Sequence, residues 1–234
     1  MKTTPELMQS LTVNPWFAAL PPAERRALLG GCELQRLRNG EMLFRQGDAV
    51  PPGAGAFYGV LRGRLKASSL REDGKEAILA VLEPGNWFGE ISLIDGQPRT
   101  HDATALGDAE VLALPRRAFD ALMKRPSFAL AVCRMLAGRV RTLFGIVEDA
   151  TLRSTRARVA RRLLALAHGD ATQDRDARSV VPVSQESLAM MLGVTRQTLS
   201  KELKALAGRK AITLGYGRIQ IESEALLERL GLDS

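Results

Sequence analysis

The spacing of apolar residues changes twice along the 234-residue chain, and each change marks a different kind of structure. Residues 33–114 hold short apolar runs separated by glycine or Asp-Gly turns, a pattern that is typical of antiparallel strands. From Pro115 onward the apolar spacing is that of helices, and a long helix is predicted to begin at Pro126. Residues 7–29, before the strands, predict short helical pieces that pack onto them.

The predicted long helix carries an apolar stripe at alternating three- and four-residue spacings. The stripe consists of Cys133, Leu136, Val140, Leu143, Val147 and Ala150. A helix with such a stripe needs a partner, and a second copy of the chain would make a two-fold homodimer. The alternative is that the stripe packs against the strands of its own chain.

The C-terminal third predicts two helices joined by a tight turn. The first begins at Ser184 and ends at Gly193, and the second is capped by Thr195. This spacing is typical of a helix-turn-helix, whose second helix is free to enter a major groove. Two short strands, residues 211–214 and 218–222, follow it and predict a wing hairpin.

Composition and charge favour a globular protein with an anionic partner. Apolar residues make up 45% of the chain and charged residues 25%. The formal net charge is +7, and residues 151–234 hold 14 Lys and Arg against 9 Asp and Glu, so most of the excess is C-terminal. A basic excess around a helix-turn-helix indicates DNA, although solvated surface arginines would give the same count.

Two cysteines and two histidines leave little scope for metal chemistry. Cys32 and Cys133 are too far apart to read as a metal-binding pair, and both thiols are expected to be buried and reduced. The chain has neither a His and Asp cluster nor a glycine-rich nucleotide loop with its lysine, so we predict no metal site, no catalytic residues and no enzyme. No run reaches membrane-spanning length and none resembles a signal peptide, which predicts a cytoplasmic protein without a membrane partner.

Residues 85–105 form the stretch with the most distinctive chemistry. Their pattern predicts a strand that ends at Gly89, a helical turn over residues 91–94, an Asp-Gly reversal and a second strand that begins at Arg99. The groups suited to binding a phosphate are the backbone of Gly89, the opening amides of the helical turn at Ile91 and Ser92, the guanidinium of Arg99 and the hydroxyl of Thr100. Glu90 would repel a phosphate unless it accepted a hydrogen bond from a ribose hydroxyl.

This stretch resembles the phosphate-binding cassette of cyclic-nucleotide-binding domains, including the spacing from glutamate to arginine. The matching residues are Phe88, Gly89, Glu90, Leu93, Pro98, Arg99 and Thr100. The resemblance implies that Glu90 binds the ribose 2′-hydroxyl, that Arg99 neutralises the cyclic phosphate, and that Thr100 and the amides near Gly89 complete the cradle. The alternative is an internal ion pair between Glu90 and Arg99 in a roll that binds no ligand.

The second predicted helix of the C-terminal pair resembles the recognition helix of the cyclic-AMP receptor protein and fumarate-nitrate regulator (Crp/Fnr) superfamily of bacterial transcription regulators. The matching residues are Thr195, Arg196, Gln197, Thr198, Leu199, Ser200 and Lys201. The resemblance implies that Arg196 contacts a guanine, while Gln197 prefers adenine. Phosphate contacts are assigned to Thr195, Thr198, Ser200 and Lys204, and non-specific phosphate contact is the alternative for Arg196 and Lys201.

The resemblance covers nearly the whole chain and implies an α+β fold. Residues 1–126 would form an antiparallel, jelly-roll-like β-roll, residues 127–154 a dimerisation helix and hinge, and residues 155–234 a winged helix-turn-helix. Thr142 and Leu143 fall where the long helix of the family touches the nucleotide base.

The function implied by the resemblance is that of a homodimeric transcription regulator. Cyclic AMP, or else cyclic GMP, would bind in the β-roll and control binding to double-stranded DNA, with RNA polymerase as a further partner. The alternatives are a regulator that senses another effector or none, an enzyme subunit controlled by a cyclic nucleotide, and a winged helix that docks a protein.

Overall fold

A computed structural model describes residues 5–170 and 178–232. The chain divides into two compact units, and the boundary between them lies in a long helix, between Ala137 and Gly138. Residues 76–78 are grouped with the second unit. Within the described ranges, we find no helix with both the length and the apolar character needed to cross a membrane.

The N-terminal segment forms short helices, as predicted. They are α1 (Pro5–Thr12), α2 (Pro15–Ala19) and α3 (Pro22–Gly30), and each begins at a proline, whose missing N–H is not needed in a first helical turn. Phe17 is fully buried and stacks on Trp87 with ring centroids 5.9 Å apart. Trp16 donates a hydrogen bond from Nε1 to the carbonyl of Ala131 over 2.8 Å, which fastens α2 to the rest of the first unit.

Two four-stranded sheets follow, and they confirm the predicted antiparallel roll. The strands are β1 (Glu33–Leu37), β2 (Met42–Phe44), β3 (Ala56–Arg62), β4 (Leu65–Leu70), β5 (Glu76–Leu82), β6 (Trp87–Phe88), β7 (Asp102–Ala105) and β8 (Ala109–Pro115). One sheet has the order β1-β8-β3-β6 and the other β2-β7-β4-β5. Tyr58, Val60, Leu65, Ala103 and Val111 are among the residues that fill the core between the strands.

The stretch around the predicted cassette differs from expectation at one boundary. The helical turn is present as α4 (Glu90–Asp95), but β7 begins at Asp102 rather than at Arg99. The backbone of Arg99 instead forms hydrogen bonds with the turn at Gly47 and Asp48, which follows β2. Its N–H donates to the carbonyl of Asp48 over 2.9 Å, and its carbonyl accepts from the N–H of Gly47 over 2.8 Å. The turn therefore takes the hydrogen bonds that a longer strand would have used.

The two units share the long helix α6 (Pro126–Leu152), which follows α5 (Arg116–Met123). Phe128 and Val132, near its start, are fully buried in the core of the first unit. The start of α6 at Pro126 agrees with the prediction.

The second unit confirms the helix-turn-helix and its wing. Its elements after α6 are α7 (Thr155–Ala167), β9 (Val180–Val181), α8 (Gln185–Leu192), α9 (Arg196–Gly208), β10 (Ile212–Gly215), β11 (Arg218–Ile221) and α10 (Glu224–Leu230). Strands β10 and β11 form the predicted hairpin, and β9 adds a third strand beside β11. Neither β9 nor α10, which packs on α7, is predicted from the sequence.

The two thiols have different environments. Cys32 is buried and donates from Sγ to the carbonyl of Leu28, and burial raises the pKa of this thiol to about 12. Cys133 is free as well but exposed, so the expectation that both thiols are buried is wrong for Cys133. Among the described residues, no group of three His, Cys, Asp or Glu side chains is placed to hold a metal ion.

Candidate functional sites

Arg99 lies inside the β-roll, with only 5% of its surface exposed. Its Nη1 donates a hydrogen bond to the carbonyl of Gly89 over 2.9 Å, and its Cζ atom lies 5.8 Å from the ring centroid of Tyr58. Burial lowers the pKa of the guanidinium, whereas the neighbouring Tyr58, Glu90 and Asp48 act in the opposite direction. The structure therefore holds a desolvated guanidinium at the glycine turn, where the sequence analysis expects an anion.

Gly89 and Glu90 stand at the start of α4, next to this guanidinium. Gly89 has φ +91° and no side chain caps the helix there. A Cβ atom on Gly89 would lie 3.2 Å from Nη1 of Arg99, so the space beside the guanidinium is kept by the absence of a side chain. Glu90 is fully buried, and its charge opposes the lowering of the pKa of the neighbouring Arg99 guanidinium by burial. These residue types fit a ligand that combines a phosphate with a hydroxyl group.

The hydroxyl groups of the remaining predicted cassette residues, Ser92 and Thr100, already form hydrogen bonds within the protein. The hydroxyl of Ser92 donates to the carbonyl of Pro98 over 3.3 Å, which leaves its backbone amide as the group available to a ligand. Thr100 is exposed, and its Oγ1 lies 2.8 Å from Nδ1 of His101. The hydroxyl that was expected to face a phosphate therefore shares its hydrogen bond with a neighbouring imidazole.

An aromatic cluster borders Arg99, and the sequence analysis does not include it among the site residues. The Cζ atom of Arg99 lies 4.3 Å from the ring centroid of Phe44 and 5.8 Å from that of Tyr58. Phe44, Tyr58 and Phe88 pack against one another with centroids 5.5 to 6.1 Å apart. Phe44 and Tyr58 lie 55 and 41 residues before Arg99, so no local motif reveals their contact with it.

The apolar stripe of α6 has two different environments. Leu136 packs partly against the core of the first unit. Beyond it, Val140, Leu143 and Val147 are exposed, with 60% of Leu143 accessible. Phe144, 71% exposed, and Ile146 extend this exposed apolar face although they are not in the predicted stripe. We call Val140, Leu143, Phe144, Ile146 and Val147 the apolar face of α6.

Thr142 and Leu143 lie in the part of α6 that belongs to the second unit. The hydroxyl of Thr142 donates to the carbonyl of Gly138, one turn earlier, over 3.2 Å. Leu143 belongs to the apolar face, so one residue that is predicted to touch a base is also predicted to lie in the dimer interface.

The helix-turn-helix positions its second helix through a small set of local signals. Gly193 adopts φ +64° after α8, and the hydroxyl of Thr195 accepts a hydrogen bond from the N–H of Thr198 to cap α9. Ala189 of α8 and Leu199 of α9 are buried. This packing fixes which side of α9 remains outside.

The predicted DNA-binding residues lie along the outer side of α9. Arg196, Gln197, Lys201 and Lys204 are exposed, as are Thr195 and Thr198, and Ser200 is half-buried. Thr195 and Thr198 share a hydrogen bond between their hydroxyl groups over 2.9 Å, so Thr195 serves the helix cap first. The sequence analysis does not include four exposed residues near α9 or on the wing: Arg209, Lys210, Tyr216 and Arg218.

Much of the basic charge before α8 is engaged by partners within the second unit, although the arginines that carry it are only half-buried. Arg153 and Arg161 donate to the two oxygens of Asp149, and Arg156 donates to Glu202 over 2.8 Å. Two further arginines of this region are engaged as well: Arg158 donates to the carbonyl of Leu192, and Arg162 makes a bidentate pair with Asp170. The net charge alone therefore overstates the freely exposed cationic surface, and several of the exposed cations lie on α9, after it or on its wing: Arg196, Lys201, Lys204, Arg209, Lys210 and Arg218.

Comparisons with known proteins agree with both halves of this arrangement. The cyclic nucleotide-binding domain family matches residues 34–126, and the Crp-like helix-turn-helix domain family matches residues 157–230. Neither match depends on the long helix that joins the two regions.

Similar proteins align with the chain across both of these regions. The chain is 32% identical over 218 residues to the "Cyclic AMP receptor protein" of Thermus thermophilus, covering 93% of this chain and 96% of that one. It is 30% identical over 216 residues to the "CRP-like cAMP-activated global transcriptional regulator" of Mycobacterium tuberculosis, covering 91% and 95%. A solved CRP/FNR-family transcriptional regulator of Thermus thermophilus is similar at a TM-score of 0.69 and 26% identity, over 85% of this chain and 98% of that one.

Proposed function

The chain belongs to the Crp/Fnr family of transcription regulators, and from that premise we propose that it is a homodimer whose promoter binding is controlled by a cyclic nucleotide. Cyclic AMP is the first candidate and cyclic GMP the second. Two similar proteins carry cyclic AMP in their names, which supports that order. RNA polymerase is the expected partner at the promoter.

The observation that carries the proposal is the burial of the Arg99 guanidinium beside the fully buried Glu90. Removing a cation from water is costly unless a charged or strongly polar partner compensates it. The Gly89 carbonyl, Glu90 and Asp48 offset part of this cost. A cyclic phosphate would supply a further anionic partner at Arg99, with the amides of Gly89, Ile91 and Ser92 and the hydroxyl of Thr100 around it. Glu90 would repel a free phosphate, but it accepts a hydrogen bond from the 2′-hydroxyl of a nucleotide.

The apolar face of α6 supports dimerisation. An exposed apolar helix face of this size is unfavourable in water, and the same face of a second copy would cover it. Cys133, Leu136, Val140, Leu143 and Val147 are the proposed interface residues, and Thr142 with Leu143 would reach the nucleotide base.

The exposed side of α9 supports DNA binding through the major groove. Arg196 would donate two hydrogen bonds to a guanine and Gln197 would pair with an adenine. Thr195, Thr198, Ser200, Lys201 and Lys204 would contact phosphates, which position the helix without reading sequence. In a dimer the two α9 helices would read half-sites about 34 Å apart.

The proposal is tested by calorimetric titration with cyclic AMP, cyclic GMP and cyclic di-GMP, combined with gel shifts on DNA that the protein selects from a random library. We expect Arg99→Ala to weaken binding of the cyclic nucleotide by at least about 100-fold, because two charge-assisted hydrogen bonds are lost. Arg36→Ala is the matched control, since Arg36 lies on the surface of the same roll in an ion pair with Glu110. Operator affinity that saturating cyclic nucleotide leaves unchanged would contradict the proposed control.

A further inference from the structure

Tyr58, on the neighbouring strand β3, lies beside Gly89. It lies on β3 opposite Phe88 of β6, the residue immediately before Gly89. Its ring stacks on the ring of Phe88 with centroids 5.5 Å apart, and only 8% of Tyr58 is exposed. A Cβ atom on Gly89 would lie 3.0 Å from Cδ2 of Tyr58, so this ring forms one wall of the space at Gly89.

Tyr58 also holds the guanidinium of Arg99. The Cζ atom of Arg99 lies 5.8 Å from the Tyr58 ring centroid, and the guanidinium and the phenol are close enough for each to shift the pKa of the other. Together with the carbonyl of Gly89 and the ring of Phe44, Tyr58 fixes the direction in which the guanidinium points. Arg99 therefore meets an incoming anion from a prearranged position, which reduces the entropy lost on binding.

The chemistry of the two side chains decides which of them can donate to the other. A guanidinium has N–H donors and no acceptor, so the phenol oxygen of Tyr58 can only accept from Arg99. The same oxygen keeps its own proton, and burial, which raises the pKa of Tyr58, keeps the phenol neutral at physiological pH. The O–H group of Tyr58 is thus a donor next to the place where an anion would meet Arg99.

We propose that Tyr58 is an effector-binding residue: it positions the guanidinium of Arg99 over Gly89 and donates its O–H to a phosphate oxygen of the bound cyclic nucleotide. This inference rests on the proposed function, because it needs an anionic ligand at Arg99. It adds a residue from β3 to a site whose other proposed members lie on the cassette and on α6.

Tyr58→Phe tests the inference, since it keeps the ring and its stacking but removes the donor. We expect this variant to bind cyclic AMP about 10- to 100-fold more weakly in calorimetry, the cost of one hydrogen bond to a charged group. Tyr216→Phe is the matched control. Tyr216 is the only other tyrosine of the chain and is fully exposed on the wing, so its variant should bind with unchanged affinity.

Two further readouts separate a role in binding from a merely structural one. In an Arg99→Lys background, Tyr58→Phe should cost less than it does alone, because the two residues act together. In the unsubstituted protein, saturating cyclic AMP should move the ionisation of Tyr58, followed by tyrosinate absorbance, to higher pH, since the phosphate charge disfavours a second anion beside it.

The outcomes distinguish this inference from the proposal on which it rests. Equal affinity of Tyr58→Phe and the unsubstituted protein for cyclic AMP would overturn the role of Tyr58 alone. Failure of the unsubstituted protein to bind any of the three cyclic nucleotides would overturn the proposed control by nucleotide, and the role of Tyr58 with it.

Discussion

The residues of the predicted phosphate-binding site are positioned by two kinds of contact: some join residues close together in the sequence, and others join residues far apart. The glycine, glutamate and arginine of the cassette lie within eleven residues of one another, and their order alone predicts that they meet. The contacts of Arg99 with Phe44 and Tyr58 depend on how two sheets close on each other, so the sequence does not reveal them. Local chemistry was therefore predictable, and the aromatic walls around it were not.

Gly89→Ala tests the close approach at the cradle. Alanine at φ +91° is strained by about 1–2 kcal/mol, and its Cβ would also press on Tyr58 and on Nη1 of Arg99, at 3.0 and 3.2 Å. We expect lower stability in urea unfolding and loss of cyclic AMP binding in calorimetry. Both effects come from one methyl group, so a matched glycine is needed to separate them.

Gly96→Ala is that control, because Gly96 has φ +70° but open space where a Cβ would go. The Gly96→Ala variant should be strained to a similar extent as Gly89→Ala, but its affinity for cyclic AMP should be unchanged. Equal loss of affinity in the two variants would show that backbone strain in α4, rather than contact with Arg99, governs the cradle.

At the scale of helices and strands, the spacing of apolar residues predicted whether an element is a helix or a strand. It did not predict which other residues pack against each element. The stripe on α6 is visible in the sequence, yet Leu136 packs on the first unit while Leu143 and Phe144 are exposed. The arginines of α7 behave similarly. Their charge is visible in the sequence, but their hydrogen-bond partners are not. Glu202, for example, lies 46 residues after Arg156, so this contact is known only from the folded structure.

Leu143→Glu tests whether the apolar face of α6 joins two chains. A carboxylate at the centre of an apolar interface is left without a partner, so we expect the dimer to dissociate in sedimentation velocity at concentrations where the unsubstituted protein stays dimeric. Leu70→Glu on β4 is the control. Leu70 is 57% exposed, a fraction similar to the 60% of Leu143, but it lies on β4 and not on α6. Its variant should therefore remain dimeric.

A monomeric unsubstituted protein would contradict the homodimer outright. A dimeric Leu143→Glu variant would move the interface away from this face of α6 and would remove the argument that Leu143 serves both interface and base.

At the scale of the whole molecule, α6 is the element that belongs to both compact units. Its last turns are tied to the second unit: Asp149 accepts hydrogen bonds from Arg153 and from Arg161 of α7, and Arg153 also donates to the carbonyl of Gly231 after α10. A change in the orientation of these turns would therefore be carried to α7 and α10 rather than absorbed by a free linker. These ties lie at the C-terminal end of residues 127–154, which the sequence analysis assigns to a dimerisation helix and hinge.

The proposed coupling between effector and DNA is measurable in both directions. If cyclic AMP raises DNA affinity by some factor, DNA must raise cyclic AMP affinity by the same factor, because both describe one coupling free energy. We expect a factor of about 5 to 150 in gel shifts with and without cyclic AMP, and the same factor in calorimetry with and without DNA. Arg196→Ala should weaken DNA binding while leaving the cyclic AMP affinity of the DNA-free protein unchanged. Tight cyclic AMP binding combined with a factor of one would mean that the nucleotide occupies the roll without influencing α9, and the ties around Asp149 would then serve stability alone.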